Sequence, residues 1–152
     1  MADLVNDGGT LRLALVLAGR EAEGPRAVAA AGLEYRDRRD GAWWPLLRLP
    51  ALRLPTAALQ ALRDELLAFL RGDQPGFAWS SGDGGPLAIQ LGRAEGGAVV
   101  EVGLDVSLFL EEVAGAKRRE QAELALFRFR ALMPAMVVFS EKLRAELEEL
   151  GP

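Results

Sequence analysis

The chain has 152 residues and contains neither histidine nor cysteine, so the commonest general base, the thiolate nucleophile and the usual zinc ligands are absent. Hydrophobic residues make up 50% of the chain and charged residues 26%, a globular composition that excludes a disordered chain or a disulfide scaffold. The formal net charge of −4 disfavours nucleic-acid binding, because phosphate recognition needs a basic surface.

The length and the apolar runs predict a single cytoplasmic domain. A chain of this size typically forms one core, so we expect one globular domain over residues 1–152, with residues 1–8 as a flexible N-terminus. Asp3 and Asp7 stand where a secretion signal would need positive charge. The longest apolar run, Ala131–Phe139, is too short to span a bilayer. We expect no membrane partner and no cofactor.

The chain is predicted to open with strands. Apolar residues alternate with a period of two, and the small-residue clusters Asn6–Gly9 and Asp40–Gly41 are interpreted as turns. Three strands are predicted before any helix: Leu11–Leu17, Ala27–Arg36 and Ala42–Leu49.

The first helix is predicted from apolar residues at helical spacing between Leu59 and Leu70. Thr56 is the expected N-cap, and Gly72 is expected to end the helix. Turns at Gly82–Gly85 and Gly96–Gly97 then separate the later strands. Those strands are predicted at Phe77–Ser80, Leu87–Arg93, Val99–Leu110 and Glu123–Arg130.

A second helix is predicted at the end of the chain, with Pro134 near its first turn and Gly151 at its end. Its apolar stripe comprises Met136, Phe139, Leu143, Leu147 and Leu150. The two predicted helices span similar intervals, from Pro55 to Gly72 and from Pro134 to Gly151, which suggests a repeat. Aligning the prolines places Leu62 opposite Glu141, so we interpret the match as shared capping and not as duplication.

These elements predict an α+β fold, mainly an antiparallel sheet of six to seven strands with two amphipathic helices packed on one face. A barrel-like closure of the strands around the first helix is the alternative.

Few residues are placed for catalysis. Glu111 and Glu112 point to opposite sides of an extended chain and are interpreted as a solvated loop. Ser80 and Ser81 have no histidine to activate them, and neither lysine of the chain has Ser-x-x-Lys spacing. The charged segment Asp37–Asp40 is interpreted as a self-neutralising loop. We therefore expect no catalytic residue and no metal site.

The tryptophans are candidate binding residues. Trp43 and Trp44 are adjacent on a predicted strand, so their side chains point to opposite faces and one of them is expected to be exposed. Exposed tryptophan is frequent at interfaces, although packing in the core is the alternative for this pair. Trp79, on a short strand, is expected in the core.

The last predicted hairpin indicates a charged sheet face. If Val100, Val102, Phe127 and Phe129 face the core, the register places four charged residues on the other side. These candidate partner-binding residues are Glu101, Asp105, Arg128 and Arg130. Leu124, Leu126 and Phe109 fall on the same side. Cross-strand ion pairing and binding of a partner remain equally open interpretations.

A run of aromatic and apolar positions extends from the tryptophans to the last helix. It comprises Trp44, Leu-Pro-Thr before the first helix, Trp79, Leu87-x-Ile89-x-Leu91, Val100-x-Val102-x-Leu104, the strand from Leu124 to Phe129, and Leu143 with Leu147. This run, about residues 43 to 150, resembles small bacterial immunity proteins of the WapI-associated type. The resemblance implies a non-enzymatic cytoplasmic protein that binds and blocks a cognate toxin.

The leading prediction is therefore a non-enzymatic protein-binding module, an immunity protein whose partner is a toxin domain. The alternative is a structural or regulatory subunit that acts through homo- or hetero-oligomerisation. An enzyme that uses carboxylates is a distant third.

Overall fold

The computed structural model describes residues 1–22, 24–82, 85–107 and 124–151, which form strands and helices in a regular order. The first half contains β1 (Ala2–Val5), β2 (Leu11–Arg20), β3 (Arg26–Arg36), β4 (Trp43–Pro55) and α1 (Thr56–Arg71). The second half contains β5 (Gly76–Ser80), β6 (Leu87–Ala94), β7 (Gly97–Asp105), β8 (Leu124–Leu132) and α2 (Met133–Glu149).

The α+β class is confirmed, but the prediction of one sheet of six to seven strands is wrong. The described strands form two antiparallel sheets of four strands each, sheet A (β1–β4) and sheet B (β5–β8). Strand β1 lies within residues 1–8, for which the sequence predicted a flexible terminus, and its Ala2 and Leu4 are fully buried. The predictions that concern Phe109, Leu110, Glu111, Glu112, Lys117 and Glu123 lie outside the described residues.

The two halves share one plan of four strands followed by a helix. In each sheet the strands pair in chain order. The first residue of each helix donates its backbone N–H to the turn between the second and third strands of its own half. The N–H of Thr56 bonds the carbonyl oxygen of Pro25 at 2.8 Å, and that of Met133 bonds Gly96 at 3.3 Å.

The repeat is visible in the helices once their first residues, Thr56 and Met133, are aligned instead of their prolines. The buried residues Leu59, Leu62 and Leu66 of α1 then fall opposite Met136, Phe139 and Leu143 of α2. Aligning the prolines instead shifts one helix by two positions relative to the other, and the two apolar stripes then no longer coincide. For this reason the sequence alone did not reveal the repeat.

Each helix packs on the sheet of the other half. Helix α2 contacts β1 of sheet A, whereas α1 contacts β5 of sheet B, and the two helices also contact each other. Oε2 of Glu146 on α2 accepts the backbone N–H of Leu17 at 2.8 Å. In the other half, the indole Nε1 of Trp79 donates to the carbonyl oxygen of Ala58 on α1 at 2.7 Å. The exchange joins the inner faces of both sheets and the apolar stripes of both helices into one core.

The helix ends agree with the sequence at three points and differ at one. Gly72 adopts the left-handed conformation that ends α1, with φ of 82°, and Gly151 does so after α2, with φ of 74°. Pro134 lies in the first turn of α2. Thr56 is the first helical residue of α1 and not its N-cap, and no side chain caps this end.

Candidate functional site

The structure places the predicted binding residues on different sheets. Trp43 and Trp44 belong to the edge strand of sheet A, whereas Glu101, Arg128 and Arg130 belong to sheet B. They therefore form two surfaces, of which the one on sheet B is the larger. We call it the outer face of sheet B and define it as the side opposite the core, comprising Ala78, Ser80, Ala88, Gln90, Gly92, Val99, Glu101, Gly103, Leu124, Leu126, Arg128 and Arg130.

An ion pair lies on this face, to which the register argument had assigned both of its residues. Glu101 of β7 lies directly opposite Arg128 of β8. Arg128 Nη2 is 2.9 Å from Glu101 Oε2, and 72% of the Arg128 side chain is exposed. Arg130, two residues further along β8, is also exposed and donates to the backbone carbonyl oxygen of Glu95 at 3.1 Å. The ion pair of Arg128 and the hydrogen bond of Arg130 therefore use only part of the donor capacity of the two guanidinium groups.

Asp105 was predicted on this surface but is fully buried. Its Oδ1 accepts the backbone N–H of Ser107 at 3.0 Å and the Ser107 hydroxyl at 2.5 Å. The carboxylate thus caps the backbone N–H of Ser107 just after β7, where Val106 and Ser107 are helical and not extended as the predicted strand Val99–Leu110 requires. Alternation along the strand gave the side of the sheet on which Asp105 lies, but it could not give its burial.

A groove with a floor of small residues crosses the outer face of sheet B. One part of the groove, of about 340 Å³, is lined by residues that include Ala78, Ala88, Gln90, Glu101, Gly103, Leu124 and Leu126. The adjoining part, of about 320 Å³, shares Gln90 and Glu101 and extends to Gly92, Val99 and Arg128. The sequence analysis missed the floor because its residues carry no chemistry, although alternation places them on this face.

Two leucines stand over this floor in contact with water. Leu126 is 62% exposed and Leu124 is 43% exposed. A Cβ atom at Gly103 would lie 3.3 Å from Cδ2 of Leu126 and 3.4 Å from Cδ1 of Leu124. Glycine at this position therefore lets both leucine side chains lie across β7, where they form one wall of the groove.

The tryptophans divide as adjacent residues on a strand must. Trp44 is 51% exposed and pairs with the exposed Tyr35 of β3. Trp43 points to the other side and is half-buried beneath Arg12, whose Cζ lies 4.3 Å from the centre of its ring. Cation–π contact thus accounts for Trp43, whereas Trp44 is the exposed member of the pair. Trp79 is buried in the core, as predicted.

The serines next to the outer face of sheet B have structural roles. Ser81 is buried, and its Oγ accepts the backbone N–H of Leu87 at 3.2 Å. Ser80 donates to the carbonyl oxygen of Gly82. Among the described residues, no three carboxylates cluster as metal ligands would, and no helix is both long and apolar enough to cross a membrane.

Comparisons with protein-family models, with curated proteins and with solved structures find no match to this chain. The resemblance to WapI-associated immunity proteins gains no support from them and stays a prediction.

Proposed function

We propose that this protein is a non-enzymatic protein-binding module that docks its partner on the outer face of sheet B. The observation that carries the proposal is the exposure of Leu124 and Leu126 beside the Glu101–Arg128 ion pair, over a floor of small residues. Contiguous exposed apolar residues rimmed by polar ones mark interaction sites, and arginine is enriched at interfaces.

The apolar part of the groove fits side chains of a partner. Alanine and glycine in the floor let another chain approach the sheet backbone closely. Full burial of a leucine side chain contributes roughly 1.5–3 kcal/mol, so covering Leu124 and Leu126 would supply a substantial part of the binding free energy.

The charges indicate what else the partner presents. Arg128 and Arg130 point outward from the same side of β8, whereas Glu101 has only 27% of its side chain exposed. Carboxylates of the partner can therefore reach these exposed guanidinium groups, and arginine binds carboxylates through paired hydrogen bonds. We infer a partner surface that carries apolar side chains next to an acidic residue.

The resemblance to immunity proteins suggests which partner to test first. It implies a bacterial toxin domain, and a toxin must be inherited together with its antidote. The product of the neighbouring gene is therefore the first binding partner to assay. We expect the complex to form in the cytoplasm and to need no cofactor.

The test compares binding and folding in the same variants. The double variant Arg128→Glu, Arg130→Glu should bind the partner about tenfold more weakly or worse, and Leu126→Ser should have a similar effect. The melting temperature of Leu126→Ser should stay nearly constant because this side chain is exposed. The arginine variant should keep a cooperative transition but lose a few degrees, because a glutamate at position 128 faces Glu101 across the strands. Calorimetric titration with the neighbouring gene product and a thermal melt of each variant provide the two measurements.

The control is Val138→Ser, which changes an apolar residue that is 45% exposed on α2, away from sheet B's outer face. Its binding should equal that of the wild-type protein. Unchanged binding in the Arg128/Arg130 and Leu126 variants would remove this face from the interface. If sedimentation shows that the wild-type protein self-associates and that the same variants abolish it, the partner is a second copy of the chain and the toxin assignment is wrong.

A further inference from the structure

A second surface lies at the end of sheet A, where two hairpin turns meet. A cleft of about 340 Å³ opens between the turn that joins β1 to β2 and the turn that joins β3 to β4. Its walls carry two arginines, Arg36 and Arg38, and the remaining lining comprises Gly8, Gly9, Thr10, Asp37 and Gly41.

The carboxylates of the second turn are engaged by the backbone. Oδ1 of Asp37 accepts the N–H of Arg39 at 2.8 Å, and Oδ1 of Asp40 accepts the N–H of Ala42 at the same distance. Within the described part of the chain, neither Arg38 nor Arg39 forms an ion pair, and both are exposed. The segment 37–40, interpreted as a self-neutralising loop, has no net charge, but its aspartates stabilise the turn and do not pair with its arginines.

Arg36 is held in place at the cleft. Its Nε donates to the carbonyl oxygen of Gly41 at 3.1 Å, and its Cζ lies 6.0 Å from the centre of the Trp43 ring. These contacts leave its terminal nitrogens available as donors. A guanidinium that is already oriented loses less conformational entropy when it binds an anion.

We propose that this cleft binds a carboxylate from an acidic segment of a partner protein. Two arginines face the same space, and Asp37, the only carboxylate among the described residues that line it, accepts a hydrogen bond from the backbone. Arg36 and Arg38 outnumber Asp37 in the lining, so the cleft favours an anion, and arginine binds carboxylates through paired hydrogen bonds, which an acidic segment supplies. The cleft shares no residue with the outer face of sheet B, so this proposal does not depend on the proposed function.

The test uses a fluorescently labelled oligo-glutamate peptide, with oligo-glutamine of the same length as the neutral control. The wild-type protein should raise the anisotropy of the glutamate peptide alone, and added salt should weaken the binding. Arg38→Glu should reduce the affinity by about tenfold, because it removes one cation from the cleft and introduces an anion. Arg39→Glu is the matched control: it makes the same charge change in the same turn but outside the cleft lining, and should alter the affinity by less than about threefold.

Each other result would overturn the proposal. No binding of oligo-glutamate at low salt, or equal binding of oligo-glutamine, would show that the cleft does not select carboxylates. Equal losses in the Arg38 and Arg39 variants would indicate unspecific charge attraction. Displacement of the peptide by inorganic phosphate at equal concentration would identify a small-anion site. A thermal melt of the Arg38 variant should match the wild type, since this side chain is exposed and unpaired.

Discussion

Arg12 connects the strands of sheet A through its guanidinium group. Its Nε is 2.6 Å from Oε2 of Glu34, its Nη1 is 3.6 Å from Oδ2 of Asp3, and its Cζ lies over the Trp43 ring. Only 14% of the Arg12 side chain is exposed. Arg12→Met should therefore lower the free energy of unfolding by about 1–3 kcal/mol, because it leaves the Glu34 carboxylate without the cation it pairs with, whereas Asp3 keeps its ion pair with Lys142. Arg128→Met, which breaks an exposed pair, should cost less than about 1 kcal/mol in the same urea titration; equal costs would contradict this account.

Helix α2 packs against strand β1 and covers it. Leu143 is fully buried in its apolar stripe, and α2 contacts β1 of the other half. Leu143→Ala should lower the free energy of unfolding by roughly 2–5 kcal/mol through the cavity that it leaves. Glu148, on the opposite side of α2, is exposed, and its Oε1 lies 3.8 Å from Nε of Arg144 in an exposed ion pair. A carboxylate in the last turn opposes the helix dipole. Glu148→Ala should thus be nearly neutral in chemical denaturation, and similar losses at both positions would refute the assigned faces.

The whole molecule is two copies of one plan that exchange their helices. Helix α2 contacts β1 more extensively than β8 of its own half, and α1 contacts β5 as well as β4, so each half relies on the other for part of its cover. Fragments 1–74 and 75–152 should therefore lack cooperative thermal unfolding when separate and regain it when mixed, as followed by circular dichroism. The junction between Gln74 and Pro75 lies outside the helices and strands, so the cut removes no regular hydrogen bond. A fragment that unfolds cooperatively by itself would show that its sheet does not need the exchanged helix.

Much of the local structure followed from the sequence by itself. Period-two alternation identified seven of the strands, because side-chain direction is set by backbone geometry alone. Helical spacing identified the buried apolar residues of both helices, but it missed the buried Ser140 and included Leu150, which lies beyond the end of α2. The same rule placed Glu101 and Arg128 on one face of one hairpin, where they form an ion pair. Strand β1 escaped this reasoning because four residues, one of them Asp3, give too short a pattern.

The tertiary structure decided which element packs against each face of a strand or helix. Alternation states which residues share a side, but it does not state which element covers that side. The division into two sheets, the burial of Asp105 and the shielding of Trp43 by Arg12 all depend on contacts made outside the local strand pattern. The sequence by itself therefore determined the elements and their faces. The exchange of helices between the halves determined which faces became core and which stayed exposed, because burial depends on the neighbours that the whole fold supplies.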